Sequence, residues 1–304
     1  MTRSVTIPAD DGIYPGVDEE SYHHDPASLS VSGAKLLLPP SCPAKFRHMR
    51  DNPQPPRRVF DFGHLAHRMV LGAGSEFTVL DPAVHGLKTD GQVADNPRAT
   101  STWKSAEAEA RREGRIPVSV EEWRTAEQMA EKVRAHPQAR ELFTDGQPEL
   151  ALYHRDPETG VRLRGRLDWL RNDGDIVDYK TCQSAEPGEI ERAFHKYGYH
   201  MQAAWYLDMV TALGLAESSR FLFVAQEKVP PYEVTVVEYD QDAIAVGRER
   251  NREAIRLYAE LCERGEWPSY TSETITISLP AWAAKPGIDT AAADLINQLE
   301  GITA

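Results

Sequence analysis

Two stretches of alternating apolar and polar residues, joined by a tight turn, constrain the fold of this 304-residue chain more than any other feature. Residues 161–170 read VRLRGRLDWL, residues 175–181 read DIVDYKT, and the turn between them contains Asp173-Gly174. Alternation with a period of two is typical of β-strands, and an Asp-Gly pair between two such stretches favours a hairpin. A third candidate strand, Glu149–Arg155, precedes them, so the sequence predicts a three-stranded β-meander.

Helical patterns lie on both sides of the meander. Apolar residues at helical spacing predict helices before it, including two amphipathic helices in an insertion at about 100–142, and a helical region after it that Gly198 interrupts. The predicted helices are Ala34–Leu38, Cys42–Met49, Val59–Leu71, Trp103–Arg112, Val120–Ala135, Pro187–Leu213 and Gln241–Arg264. Two further strands, 219–226 and 232–239, precede the last helix. Strands and helices mixed in this way indicate an α/β fold.

The organisation along the chain indicates one elaborated domain with two terminal segments. Residues 1–21 are polar and lack apolar periodicity, so we expect a flexible arm, whereas residues 22–267 form the domain. Residues 268–304 are predicted to form a C-terminal tail with a weak helix at Ala291–Leu299. This tail is a candidate contact with a partner or with another copy of the chain.

Composition excludes several classes of protein. The hydrophobic fraction of 41% and the charged fraction of 27% are ordinary for a globular protein, and no apolar run is long enough to span a bilayer. The first residues lack the charged start and apolar stretch of a signal peptide, so we expect a cytoplasmic protein with no membrane contact. The three cysteines are far apart and form no CxxC pair, which argues against a disulfide framework, a zinc site or an iron–sulfur cluster.

Charge is unevenly distributed along the chain. The net charge of −13 argues against a uniformly basic surface for nucleic acid. Between positions 35 and 58, however, six basic residues face one acidic residue, Asp51, which gives +5. The six are Lys35, Lys45, Arg47, Arg50, Arg57 and Arg58. A second basic cluster consists of Arg162, Arg164 and Arg166. Each cluster could form a focused basic surface or an ordinary solvated patch.

Two carboxylates and a lysine lie on the predicted hairpin. Alternation places Asp168 on the same face as the three arginines of its strand, and Asp178 and Lys180 on one side of the next strand, and hairpin pairing brings the two aspartates together. Neighbouring carboxylates repel each other unless a cation neutralises them, and hard oxygen ligands favour Mg²⁺ or Mn²⁺. Lys180 could then orient a water, or help to deprotonate it, for attack on a phosphodiester. The alternative is a surface hairpin with cross-strand salt bridges.

This arrangement resembles the PD-(D/E)XK nucleases, whose signature is an Asp at the end of one strand and (Asp/Glu)-x-Lys on the next. Gly63-x-x-x-His67 on the upstream helix and Gln202-x-x-x-Tyr206 on the downstream helix resemble the RecB-like branch of that superfamily. The segments LSVS at 29–32, SCPAKF at 41–46 and KYGY at 196–199 resemble the RecE-like exonucleases of phages and prophages. The resemblance implies a restriction-endonuclease-like core, with a central mixed β-sheet flanked by helices and an N-terminal helical region.

The resemblance also implies roles for individual residues. The expected metal ligands are His67, Asp168, Asp178 and the backbone carbonyl of Tyr179. Glu149 fits a further ligand and an ordinary surface acid equally well. The expected catalytic residues are Asp168, Asp178, Lys180, Gln202 and Tyr206. The last two stand four apart and so share a helix face, available to the phosphate or to the lysine. The expected DNA contacts are Arg164 and Arg166, together with Lys35 and Lys45, for which solvation alone is an equal explanation. His64 is expected to be structural.

The function implied by the resemblance is ATP-independent, 5′-to-3′ resection of double-stranded DNA ends. It leaves 3′ single-stranded tails for recombination. It implies a ring-shaped homo-oligomer, a trimer or a tetramer, beside a single-strand annealing protein in the cytoplasm of a bacterial host. Two alternatives remain open at this point. The same metal chemistry serves a structure-specific endonuclease, and a nuclease fold that has lost catalysis would serve as a DNA-binding module.

Overall fold

The computed structural model describes residues 7–53 and 58–279. Its strands are β1 (Gly12–Pro15), β2 (Leu29–Ser30), β3 (Phe77–Leu80), β4 (Ile116–Ser119), β5 (Gly146–Arg155), β6 (Arg162–Arg171), β7 (Ile176–Cys182), β8 (Phe221–Glu227) and β9 (Val234–Glu238). Its helices are α1 (Glu19–His23), α2 (Val31–Leu37), α3 (Pro43–Asp51), α4 (Arg58–Leu71), α5 (Pro82–His85), α6 (Ser101–Arg112), α7 (Val120–Ala135), α8 (Ala139–Leu142), α9 (Pro187–Lys196), α10 (Tyr199–Ala212) and α11 (Gln241–Arg264). The weak helix predicted at Ala291–Leu299, and Arg57, lie outside the described residues.

Seven strands form one mixed sheet. Its order is β1-β5-β6-β7-β8-β9, with the short β2 also paired to β6. The β7–β8 and β2–β6 pairs are parallel, and the other pairs are antiparallel. The predicted α/β fold with a central mixed sheet flanked by helices is therefore confirmed. No helix in the described ranges combines the length and apolar character needed to cross a bilayer.

The sheet separates two apolar cores. On one face, α2, α10 and α11 enclose a large cluster that contains Leu167, Ile176 and Phe223. On the other face, Val177 and Tyr179 pack in a cluster with residues of α4 and α7. Consecutive residues of β7 thus enter different cores, as a strand period of two requires. Both faces of the central strands are buried, which explains why β7 and β8 are apolar along most of their length.

Local signals set the helix boundaries. Gly198 has φ 62°, a left-handed conformation that ends α9 and allows α10 to start one residue later, so the predicted interruption is confirmed. Helix α7 starts with a capping box, in which Ser119 accepts from the Glu122 N–H and the Glu122 carboxylate accepts from the Ser119 N–H. Asp240 caps α11 by accepting from Ala243 N–H, and Gly265 at φ 70° ends it.

The flexible arm predicted over 1–21 is wrong for the residues that are described. Strand β1 pairs with β5 from Gly12↔Tyr153 to Pro15↔Leu150. The sequence concealed this strand because it is only four residues long, and the arm is held both by this pairing and by Tyr14 and Val17, which pack with Tyr153. The insertion at 100–142 also differs from the purely helical prediction. Its segment β4 is a strand that pairs in parallel with β3, forming a separate two-stranded sheet.

The chain divides into two compact units, residues 1–268 and 269–304. All strands and helices named above belong to the first unit. In the second unit, the described residues 269–279 form neither a helix nor a strand. Ile275, Ile277 and Leu279 in this segment are 64%, 82% and 70% exposed.

Candidate active site

The candidate site forms where strands β6 and β7 diverge. Their ladder consists of Trp169↔Val177 and Leu170↔Ile176. One step beyond it, the Tyr179 N–H donates to Asp168 Oδ2 at 2.8 Å instead of to a backbone carbonyl. The strict alternation predicted along β6 also ends here, since Leu167 packs in the core under α10 whereas Trp169 packs in the core under α4. The Asp168 side chain thus connects the two strands at the point where their ladder ends.

Asp178 is almost fully enclosed, with 2% of its surface exposed. Its Oδ1 accepts a hydrogen bond from Gln202 Nε2 at 2.6 Å, and its Oδ2 lies 2.5 Å from Lys180 Nζ. Burial raises the pKa of Asp178 to about 6, Lys180 opposes this shift, and Asp168 adds to it. Burial likewise raises the pKa of Asp168 to about 6, again against Lys180 and with Glu149 adding to it. The buried carboxylate of Asp178 and the partly buried carboxylate of Asp168 are therefore both stabilised by the single ammonium group of Lys180.

Lys180 keeps its proton in this setting. Burial alone would lower its pKa, but the carboxylates of Asp178 and Asp168 outweigh burial and raise the pKa above its usual value. The Lys180 ammonium also lies 5.3 Å from the centre of the Tyr199 ring. In this state it is a hydrogen-bond donor and a counter-charge. The orienting role predicted for it fits this state better than removal of a proton does.

Helix α2 brings a second lysine to the same place. Lys35 Nζ donates to the Tyr197 carbonyl at 3.0 Å and lies 5.3 Å from the Tyr199 ring centre, the same distance as Lys180. Burial lowers the pKa of Lys35 to about 7, and Lys180 lowers it further. Tyr199 was not among the predicted site residues. The only signal for it in the sequence was its place in the KYGY segment.

His67 and Glu149 are the other two predicted ligand side chains of the site. His67 Nδ1 lies 3.5 Å from Asp168 Oδ2, and its ring packs edge-on against Tyr179 at 5.1 Å. Burial lowers the pKa of His67 to about 4, with Lys180 contributing, so its ring is neutral at pH 7. Glu149 stands in β5 at φ 56° and accepts from Arg166 Nε at 2.6 Å. A neutral imidazole is the form that binds metals.

The donor set fits a hard divalent cation. Asp178 Oδ2 is buried, and apart from its ion pair with Lys180 it accepts no hydrogen bond from the described residues. The raised pKa values of both aspartates show that each would be stabilised by a further positive charge. As they stand, no three His, Cys, Asp or Glu side chains of the described chain are grouped so that they could hold a metal ion.

Two predicted site residues, Arg164 and Tyr206, lie elsewhere than predicted, whereas the DNA contact predicted for Lys45 stays a prediction. Arg164 is buried, and its guanidinium donates to the carbonyls of Asp25 and Ser28, so the predicted phosphate contact is wrong. These hydrogen bonds of Arg164 connect the N-terminal segment to β6. Tyr206 lies in the core, stacked on Phe221 at 6.0 Å. Lys45 is exposed on α3.

Arg166 is only partly available to DNA. Its Nη1 donates to the Val17 carbonyl at 3.1 Å, in addition to the Glu149 contact. Its side chain is 16% exposed. His64, expected to be structural, lies 3.3 Å from Glu19 and so links α4 to α1.

A mixed sheet that carries Asp168 on one strand and Asp178-x-Lys180 on the next defines the PD-(D/E)XK class of nuclease folds. Residues 30–278 match the model of a family described as a PDDEXK-like domain of unknown function (DUF3799), and the chain belongs to that family. The superfamily predicted from the motifs is thereby confirmed.

Comparison with solved structures agrees with this fold. The crystal structure of a protein from Eubacterium rectale, described as a "Putative exonuclease", matches this chain with a TM-score of 0.54 and 11% identity. The match covers 90% of this chain and 99% of that chain. At this identity the likeness shows the fold alone. The structure of SSO0001 matches with a TM-score of 0.27 and 14% identity over 67% of this chain and 87% of that chain, too distant for any inference. No curated protein matches the sequence significantly.

Proposed function

We propose that the protein is a Mg²⁺- or Mn²⁺-dependent deoxyribonuclease that hydrolyses phosphodiester bonds at the Asp168–Asp178–Lys180 site. The observation that carries this proposal is the pairing of a buried carboxylate, Asp178, with a partly buried one, Asp168, at the divergence of β6 and β7, each with a pKa raised to about 6, beside a single lysine. A surface hairpin with cross-strand salt bridges would leave these groups solvated. Buried acids with perturbed pKa values and a specific charged partner are typical of catalytic sites.

The residues around the carboxylates have distinct tasks in this proposal. Asp168, Asp178, His67, the Tyr179 carbonyl and, as a further candidate, Glu149 would hold the cation, which when bound supplies Lewis-acid stabilisation of the charge that develops on the phosphate. Gln202 fixes the orientation of the Asp178 carboxylate through its hydrogen bond to Oδ1. The Tyr179 N–H fixes Asp168 in the same way. Such hydrogen bonds keep ligand groups in one orientation.

Positive side chains then act on the substrate. The Lys180 ammonium is a donor that can orient the attacking water or a phosphate oxygen once it leaves Asp178. Lys35, whose ammonium lies at the same distance from the Tyr199 ring as Lys180, is placed to contact a neighbouring phosphate. Tyr206 supports the floor of the site by packing against β6, where a Cβ on Gly165 would lie 2.9 Å from its ring.

The finer function that we propose is exonucleolytic. It is ATP-independent digestion of double-stranded DNA from its ends, 5′ to 3′, which leaves 3′ single-stranded tails for recombination. Support comes from the RecE-like segments of the N-terminal region and of the α9–α10 corner. The name of the Eubacterium rectale protein points in the same direction. In the same proposal the enzyme is a ring-shaped trimer or tetramer that works beside a single-strand annealing protein in the bacterial cytoplasm.

The test is digestion of linear duplex DNA labelled at either end, with Mg²⁺, with Mn²⁺ or with chelator. A covalently closed circle and an Asp178→Ala variant serve as controls. We expect progressive loss of the linear DNA only, starting from the 5′ label, and at least a 1000-fold loss of rate without Asp178, since roughly 4 kcal/mol of transition-state stabilisation depends on a central ligand.

Other outcomes would change the proposal in defined ways. Cutting of the circle would replace the exonuclease by an endonuclease. No cleavage with either metal, by folded protein that still binds DNA, would replace it by a DNA-binding module.

A further inference from the structure

An exposed tyrosine stands at the corner between α9 and α10. Tyr197 is 56% exposed, which is unusual for an aromatic side chain beside a buried site. Its backbone is nevertheless fixed, because its N–H donates to the Ala193 carbonyl at 2.9 Å and its own carbonyl accepts from Lys35. The turn itself depends on Gly198 at φ 62° and not on the Tyr197 side chain. A rigid backbone thus presents a ring that folding does not require.

The Tyr197 ring lies beside the Tyr199 ring, which in turn lies close to the catalytic lysine, Lys180. Its centre lies 5.7 Å from the centre of the Tyr199 ring, which in turn lies 5.3 Å from Lys180 Nζ. The Tyr197 ring is therefore at most about 11 Å from that ammonium, which is about three stacked base steps at ~3.4 Å each. A base resting on Tyr197 would belong to a nucleotide within about three positions of the phosphate at Lys180.

The charges around the corner suit a nucleic-acid backbone. Lys196 Nζ lies 5.9 Å from the Tyr197 ring centre, and Lys35 Nζ is hydrogen-bonded to the Tyr197 carbonyl. A ring flanked by two amines is the combination with which proteins bind single-stranded nucleic acid, by stacking bases on aromatic faces and pairing phosphates with cations. Bases inside a duplex are stacked on both faces, so a base can rest on this ring only at a DNA end or in a single strand.

We propose that Tyr197 is a stacking platform for an unpaired nucleobase close to the scissile phosphate, so that the site takes a frayed or single-stranded DNA end. The proposal rests on the proposed nuclease function and names the form of DNA that enters its site. Stacking is tolerant of sequence because every base has an aromatic face, so we expect no base preference from this contact.

The first test is photocrosslinking in the presence of chelator, so that it does not depend on cleavage. A duplex carries 5-iodouracil in one of the three terminal positions or, as a control, deep inside the duplex. We expect a crosslink to Tyr197, identified by mass spectrometry, from the terminal positions only. The crosslink should persist in Tyr197→Phe, which keeps the ring, and be lost in Tyr197→Ala.

The second test compares steady-state kinetics on two duplexes, one intact and one whose three terminal nucleotides lack bases. On the intact duplex, Tyr197→Ala should raise KM about tenfold with little change in kcat, as expected from the loss of one base–aromatic stack. On the baseless end, wild type and Tyr197→Ala should have the same KM, because there is no base to stack. A merely structural role of the ring would affect both duplexes equally.

The two proposals fail separately. Wild-type protein that cleaves DNA, gives no terminal crosslink to Tyr197 and is unaffected in KM by Tyr197→Ala would overturn the platform and leave the nuclease intact. Protein that gives the crosslink but hydrolyses no DNA with either metal would overturn the nuclease and leave the platform as a DNA-binding feature.

Discussion

Gln202 is a neutral side chain that orients a charged group of the site, the Asp178 carboxylate. It is buried on α10, and its amide donates to Asp178 Oδ1 at 2.6 Å. We expect Gln202→Leu to keep the helix, because leucine is a good helix former, but to free Asp178 to rotate. Loss of such an orienting hydrogen bond typically costs 10- to 100-fold in metal affinity or activity. The measurement is initial cleavage rate against Mg²⁺ concentration, with an upward shift of the half-saturating concentration expected.

A second glutamine provides the matched control for this change. Gln241 is exposed at the start of α11, so Gln241→Leu should leave both the rate and the metal dependence unchanged. If Gln202→Leu gave wild-type rates at every Mg²⁺ concentration, the hydrogen bond seen at Asp178 would have no part in the chemistry.

Among the elements, those with strong local periodicity could be predicted from the sequence. Helix α7 and helix α11 begin and end at the predicted residues, Val120–Ala135 and Gln241–Arg264. The strands of two to four residues were missed, because β1 and β2 depend on partners far away in sequence. Short elements carry too few residues for a period to show, and their pairing is a property of the tertiary fold.

Some residues of the site could likewise be predicted from the sequence, and others could not. The motif residues Asp168, Asp178 and Lys180 could be predicted because they stand on one hairpin, and the structure brings them together. Other features of the site could not be predicted. The change of face after Leu167 accompanies the left-handed residue Glu149 on the neighbouring strand, which no alternation pattern reveals. Arg164 and Arg166 fit the predicted alternation. The position of the Arg164 side chain nevertheless depends on the N-terminal segment, which folds over β6 and accepts its hydrogen bond.

Strand β7 is tied to the inserted helix α7 through the middle residue of the Asp-x-Lys motif. The Tyr179 hydroxyl donates to Gln226 Oε1 at 2.5 Å, and Gln226 Nε2 donates to the Met129 carbonyl of α7 at 2.9 Å. We expect Tyr179→Phe to lower the free energy of unfolding by ~1–3 kcal/mol, because it leaves a buried acceptor without its donor. Urea unfolding measures this change.

Tyr14→Phe is the control for that substitution, since its hydroxyl donates to the Asp10 carbonyl in an exposed position and its loss should have little effect. Because Tyr179→Phe keeps the ring that packs against His67, the dependence of cleavage on Mg²⁺ should stay close to that of the wild type. Unchanged unfolding in both variants would mean that the β7–α7 connection contributes nothing to the fold.

At the scale of the whole molecule, the basic stretch between positions 35 and 58 does not act as one patch. Arg47 and Arg50 pair with Asp51, and Arg58 lies 3.7 Å from Glu107. Lys35 instead turns into the site. Of this basic stretch, it is therefore Lys35 that reaches the site, within a chain of net charge −13. An acidic body of this kind disfavours nonspecific binding to DNA away from the active site.

The tail gives the last prediction, which concerns assembly. A chain that ends at Pro268 keeps the whole first unit, including the hydrogen bond from Ala44 N–H to the Pro268 carbonyl and the stacking of Trp267 on Phe46. We expect it to unfold at the same temperature as the full chain and to cleave DNA, but to be a monomer. The full chain should have three or four times the protomer mass of 34.0 kDa in native mass measurement.

A full-length variant tests whether the apolar side chains of the tail, and not only its presence, are needed for the oligomer. Ile275 and Ile277 are 64% and 82% exposed, and substitution of both by Asp should also give a monomer if they contact another copy. An oligomer that persists in both variants would place the contact in the first unit. A monomeric full chain would remove the ring from the proposed function, and digestion would then have to proceed without an enclosed DNA path.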